Sequence, residues 1–185
     1  MSSEQDTIVY RVVQSLTCPT QGFIRIATTT DAENLFALIN KAYDAEFFMY
    51  HQKGFQKRLD NIGEIHNLMN KGVFLVLTLA DDERAKFMDD QYSIAACVFI
   101  HDSPTYLLPE QMMPNRITAQ VNLLCVHPEM RNRGIARYMI QVVEGVCKEF
   151  HYTHVYLRVV SVHQHLIDMY MKLGFMIIGK INWEG

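Results

Sequence analysis

Residues 126–136 read VHPEMRNRGIA: an apolar strand runs into a proline, two arginines and a glycine, and a helix follows at once. Peptide N–H groups at the start of a helix have no partner within the helix, and the helix dipole adds partial positive charge there. A turn that leads into such a start can aim several N–H groups at a phosphate. Gly134 tolerates a backbone conformation that other residues resist, Ala136 keeps the next position small, and Arg131 and Arg133 add charge. Pro128 ends the strand because it cannot donate a ladder hydrogen bond. The spacing is neither G-x-x-x-x-G-K-[ST] nor G-x-G-x-x-G, so any phosphate site here is of another kind. From this stretch alone, a plain strand-to-helix connection is an equal alternative.

The elements around the turn follow from periodicity. "GFIRIAT" reads as a short strand, and "TTTDAENLFALINKAY" as a helix with Asp31 as cap and Leu35, Phe36, Ile39 and Tyr43 on one face. "DAEFFMYHQKGF" breaks the pattern and reads as a loop, and "RLDNIGEIHNLMNKG" as a weaker helix ending near Gly72. "VFLVLTLA" and "SIAACVFIHD" are strands, with "DDERAKFMDDQ" between them as an exposed hairpin loop. Residues 102–116 hold three prolines and read as a long loop. "ITAQVNLLCV" is the strand that enters the turn. Past Gly134 the apolar residues Ile135, Tyr138, Met139, Val142, Val143, Val146 and Phe150 recur at helical spacing. "HVYLRVV" is a strand, "HQHLIDMYMKLGF" a short helix stopped by Gly174, and "MIIGKIN" a last strand. This alternation makes an α/β or α+β domain around a mixed sheet. Residues 1–20 read as a loosely ordered leader and residues 21–185 as a single domain.

A chain of 185 residues with net charge −3 and no run of basic residues argues against wholesale nucleic-acid binding. Cys18, Cys97, Cys125 and Cys147 are far apart and form no CxxC pair, which suits reduced thiols in a cytoplasmic protein, with a nuclear location left open. No apolar run approaches membrane-spanning length, so no membrane role is expected.

Two of these segments resemble landmarks of the GNAT superfamily of N-acetyltransferases. VHPEMRNRGIA is similar to its V-x-P-x-x-R/Q-x-x-G-x-G/A signature. "MYMKLGF", residues 169–175, resembles its second landmark, L-Y-x-k-x-G-F, in family order and at a family-like distance. The order of elements matches from about residue 23 to 182. The resemblance implies a GNAT-type mixed, largely antiparallel central sheet flanked by helices, and acetyl-CoA as co-substrate with no metal. It implies that Arg131, Asn132, Arg133, Gly134, Ile135 and Ala136 hold the coenzyme pyrophosphate. Leu124, Cys125 and Val126 would pair with the pantetheine arm, one of the N–H groups on Leu124 or Cys125 polarising the thioester carbonyl. Tyr170 would serve the leaving thiolate. The implied reaction is direct attack by a primary amine in a ternary complex. "INKAYDAEFF" and "RLDNIGEIHNLMNKGVFLVL" resemble small members with small-molecule acceptors; a lysine or N-terminal peptide acceptor is the alternative within the class. A homodimer formed through "MIIGKINW" is a further implication.

The sequence departs from the family pattern at chemically informative places. Two positions where many members carry a glutamate base hold Gln120 and Asn122, and neither amide can act as a base. Both stay as candidate acceptor contacts with Tyr43, and Glu46 in the first loop becomes the candidate catalytic base, with Asp44 or a water chain as alternatives. His163 stands where asparagine is usual, seven residues before Tyr170, and is carried as a coenzyme contact; Leu166 replaces the usual alanine. These departures keep a non-catalytic acyl-CoA sensor open as an alternative. Cys125 on an apolar strand reads as core rather than as a nucleophile. His151, His154, His163 and His165 fit no standard zinc spacing.

Overall fold

The computed structural model describes residues 2–44, 58–87, 93–102 and 117–181. Five strands form one sheet in sequence order: β1 (Gly22–Ile26), β2 (Gly72–Leu79), β3 (Ile94–Asp102), β4 (Thr118–Val126) and β5 (His154–Leu157). The first four run antiparallel to their neighbours, and β4 and β5 run parallel. The helix joining β4 to β5 makes that parallel step possible, since parallel neighbours need a crossover. A mixed, mostly antiparallel sheet flanked by helices is therefore the fold, as the resemblance implied.

Alternation along the strands sends side chains to two apolar layers. On one face Leu75, Leu77, Val98, Ala119 and Val121 meet α1 (Ser2–Gln14) and α5 (Ile135–Glu149). On the other, Phe74, Val76, Cys97, Phe99 and Cys125 meet α2 (Ala32–Asp44) and α3 (Gly63–Met69). Helix α4 (Asp81–Phe87) follows β2, and α6 (Gln164–Lys172) follows β5.

Four sequence expectations are corrected. Residues 1–20 are not a loose leader at their core: α1 buries Val9 and Val12 against the sheet's α5 face, because Val9, Val12 and Val13 share one helical stripe, and Leu16 just past the helix packs on the same layer. The insert after β2 is not wholly a hairpin loop, since its acidic start and basic end suit the short helix α4. The residues through 181 that read as a final strand form no strand, and Met176, Ile177 and Ile181 are exposed. Asp31 does not cap α2 from outside. It is the third residue of a 3-10 turn and accepts the Thr28 N–H at 2.8 Å. Its carboxylate also takes two bonds of 2.7 Å from the Arg25 guanidinium, which pins the end of β1 to the start of α2.

Candidate functional site

β4 carries a bulge that its sequence conceals. Between the pairs Cys97↔Cys125 and Phe99↔Asn122, β3 advances two residues while β4 advances three. Leu123 absorbs the extra residue with φ of 50°, in the left-handed region. Its carbonyl takes a 3.7 Å contact from the Cys97 thiol. The bulge resets the alternation: Leu123 and Cys125 join the α2 face, while Leu124 and Val126 turn toward the α5 face. On its other side β4 pairs with β5 only from Thr118 to Val121. Residues 122–126 therefore have no strand partner on that edge among the described residues, and the edge can receive an extended chain.

The strand then runs into the turn. Pro128–Met130 form one 3-10 turn, Arg131 is extended, and Asn132 and Gly134 are left-handed with φ of 62° and 79°. Asn tolerates that region and glycine adopts it freely. A Cβ on Gly134 would meet nothing within 4 Å, so the space before the helix is open. The first N–H of α5 to reach a carbonyl one turn back is that of Tyr138, on Gly134 at 3.0 Å, leaving the N–H groups of Ile135, Ala136 and Arg137 outside the helical ladder. These features fit an anionic diester. The Arg131 side chain has a second attachment: its guanidinium donates to the Ala42 carbonyl, 2.7 Å away, at the end of α2.

A cleft of about 380 Å³ lies between the start of α5 and α6, lined by Arg137, His165, Asp168, Met169, Lys172 and Leu173. Arg137, one residue past Ala136, joins this cleft to the turn. Tyr170 is half-buried on α6, its ring edge-on to Phe175 at 5.7 Å. His163 precedes the helix, buried, with its carbonyl receiving the Leu166 and Ile167 N–H groups and its ring edge-on to His165.

On the α2 face the two strand amides belong to a larger polar chain. Gln120 donates to the Asn122 side-chain oxygen at 3.2 Å, and the Asn122 amide nitrogen lies 3.0 Å from His101 Nε2. His101 Nδ1 is 2.8 Å from the Asp102 carbonyl, and its ring stacks on Phe99. Sequence reading missed His101, because the signal is cross-strand: it pairs with Gln120 in the β3–β4 register.

The other candidates divide clearly. Cys125 is 2% exposed in the apolar layer, which favours the core reading. Its thiol and full burial hold the Cys97 thiol well above its ordinary pKa. Tyr43 sits in the last turn of α2 under the Arg58 guanidinium, 5.6 Å from the ring centroid, and packs partly on the core. Glu46, with Phe47, Phe48 and Tyr50, lies outside the described residues. Among the described residues no group of three or more His, Cys, Asp or Glu side chains converges as a metal site, and no helix is long and apolar enough to cross a membrane.

Comparison with known proteins agrees with this fold. The family model described as Acetyltransferase (GNAT) family matches residues 36–175. No curated protein matches the sequence. Among solved structures, a mutant BH1408 protein from Bacillus halodurans is 24% identical, with 86% of this chain and 96% of that one covered at a TM-score of 0.64. An aminoglycoside acetyltransferase from an uncultured soil metagenomic sample, in complex with sisomicin, is 16% identical over 88% and 93% of the chains, TM-score 0.59. AAC(6')-Iy, in complex with the bisubstrate analogue CoA-S-monomethyl-acetylneamine, is 12% identical over 90% and 98%, TM-score 0.65. At these identities the structural likeness concerns the fold.

Proposed function

The chain belongs to the GNAT acetyltransferase family and is an N-acetyltransferase, and from that premise we propose that it moves acetyl from acetyl-CoA to the primary amine of a small molecule by direct attack in a ternary complex. One observation supports the coenzyme placement: the edge of β4 that has no strand partner among the described residues runs without interruption into the left-handed turn and the open start of α5. Acetyl-CoA supplies an acetyl thioester on an extended, amide-bearing arm that ends in a pyrophosphate. Residues Leu124–Val126 pair with that arm as a further strand, and the bulge at Leu123 turns an N–H of Leu124 or Cys125 toward the thioester carbonyl. Such a donor, fixed before reaction, stabilises the oxyanion formed on attack. Residues 131–136 hold the pyrophosphate, and the Arg137–Lys172 cleft accepts its outer portion.

Tyr170 serves the departing sulfur. A thiol's pKa of about 8.5 lies below tyrosine's of about 10, so a phenol can hydrogen-bond the thiolate or lend it a proton. The soil-metagenome acetyltransferase, whose complex holds sisomicin, supports a small amine as acceptor.

The test is release of coenzyme A from acetyl-CoA, followed by mass spectrometry, with pools of small amines, amino acids and short peptides and a no-acceptor control. Release that depends on a small-amine pool and falls in Tyr170→Phe, with coenzyme affinity kept, is the expected result. Release with peptides alone would move the acceptor to a protein. No release from any pool despite saturable acetyl-CoA binding would overturn the small-amine reading.

A further inference from the structure

We propose that His101 is the proton acceptor for the attacking amine, positioned by Asn122 and Gln120; this rests on the acetyltransferase reading above. Asn122 is the first β4 residue beyond the β5 pairing, so it stands where the open edge begins. The Asn122 amide reaches one ionisable side chain among the described residues, the imidazole of His101 at 3.0 Å. On β2 Gly72 is opposite His101, where a Cβ would come within 2.7 Å of the His101 Cβ and 2.2 Å of the Ile100 carbonyl oxygen.

The hydrogen bonds select the tautomer. The Asp102 carbonyl can only accept, so Nδ1 carries the proton and Nε2 holds the lone pair of the neutral ring. Asn122 donates to that lone pair, and its own oxygen receives the Gln120 amide. Every donor in the chain thus points toward Asp102. Nε2 has one lone pair, so the attacking amine displaces the Asn122 N–H from it before giving up its proton. Once the amine has left, the Asn122 carboxamide turns its oxygen to the new Nε2–H, and Gln120 turns likewise to receive the freed Asn122 N–H. The two amides cannot act as bases, yet between them they accommodate both charge states of the imidazole. Asp102 keeps its place through its side chain, which accepts the Tyr152 hydroxyl.

The step balances as follows. The amine nitrogen forms a bond to the acetyl carbon as the carbonyl π pair moves onto oxygen, and one proton on that nitrogen passes to Nε2. The oxyanion collapses, the carbon–sulfur bond breaks, and coenzyme A leaves as a thiolate that takes up a proton. His101 then returns its proton to solvent.

Two measurements on the full chain test this. The first is kcat against pH, with acetyl-CoA and the small-amine pool, for wild type and His101→Gln, which keeps hydrogen-bonding atoms but no base. General-base catalysis contributes about 10²–10⁴-fold, so we expect kcat to fall about 100-fold near pH 7 while the KM for acetyl-CoA stays within about twofold. The wild-type fall in kcat toward acid should be absent in the variant. The second is ¹⁵N NMR of the imidazoles with coenzyme A bound. The His101 resonance, identified by its loss in His101→Gln, should show the Nδ1–H tautomer, and its titration should move the Asn122 and Gln120 side-chain amides with the same midpoint. Other ionisable groups on the surrounding elements are Cys97 and Asp102 on β3, Cys125 on β4, His154 and Tyr156 on β5 with Arg158 just beyond it, Glu33, Lys41, Tyr43 and Asp44 on α2, Glu64 and His66 on α3, and Lys71. The resonance assignment separates His101 from His66 and His154. Equal turnover in His101→Gln across the pH range would overturn the proposal and leave the acetyltransferase intact. If wild type turns over no amine, the small-amine reading fails separately; an Nε2–H tautomer, or amides that do not follow the titration, would then sink the His101 proposal on its own.

Discussion

The guanidinium of Arg131, at the entrance of the left-handed turn, donates to the carbonyl of Ala42 at 2.7 Å in the last turn of α2. One side chain thereby ties the turn that we propose for the coenzyme to the helix that leads into residues 45–57. A cation at a helix C-terminus also meets the negative end of its dipole. Arg131→Ala is expected to cost about 1 kcal/mol of stability and to raise the KM for acceptor as well as for acetyl-CoA. Arg137→Ala, on the cleft side, should weaken coenzyme binding without moving the acceptor KM. Urea unfolding and steady-state kinetics on both variants check the distinction.

Gly134 has φ of 79° before the first turn of α5, with open space where a Cβ would project. Gly134→Ala is expected to lose about 1–2 kcal/mol from the left-handed backbone. It should also weaken coenzyme A binding at least about tenfold, because the methyl occupies the approach to the N–H groups. Calorimetric titration with coenzyme A, beside thermal unfolding, separates the two losses.

Arg25 and Asp31 form a bidentate pair in which Asp31 is buried and the Arg25 side chain is 34% exposed. Breaking a fully buried pair costs about 3–5 kcal/mol, so with Arg25 partly solvated Asp31→Asn should cost about 2 kcal/mol. Bonding to Arg25 is the main reason the Asp31 carboxyl lies below its ordinary pKa. A depressed carboxyl contributes stability above the unfolded pKa of about 3.9 and loses it as pH falls through the lower folded value. The stability gap between wild type and Asp31→Asn should therefore be flat above about pH 5 and shrink below pH 4. Urea titrations from pH 3 to 7 measure it.

A Cβ on Gly145 would lie 2.5 Å from Val12 Cγ1, which makes Gly145 the seat of α1 on α5. Alanine favours a helix over glycine by about 1 kcal/mol, yet overpacking costs about 1–3 kcal/mol. Gly145→Ala should thus be neutral to destabilising, and Val12→Ala should lose less in the Gly145→Ala background than in wild type. A double-mutant cycle by urea unfolding reads the coupling; additivity would mean that α1 is not seated there.

Much of this protein was legible in its residues. The sheet strands, the helices α2, α3, α5 and α6, and the turn 131–136 follow from periodicity, a proline and a glycine, all local signals that act within a few residues. Helix α1 was missed because "SSEQDTIVYRVVQ" is polar over most of its turns, and its narrow valine stripe acquires meaning only against Gly145. The expected last strand failed for the converse reason: an apolar run is a strand only where an edge pairs with it. The bulge at Leu123 is decided by the β3–β4 register, and no single β4 residue announces it. His101 is the clearest case. Its imidazole is 21 residues from Asn122 in the chain, and only antiparallel pairing of β3 with β4 makes them hydrogen-bond partners. The residue types determined by themselves that 131–136 makes a left-handed turn into a helix start, because backbone conformation there is a local property. Which side chains share a proton is a matter of contact across strands, and tertiary structure alone decides it.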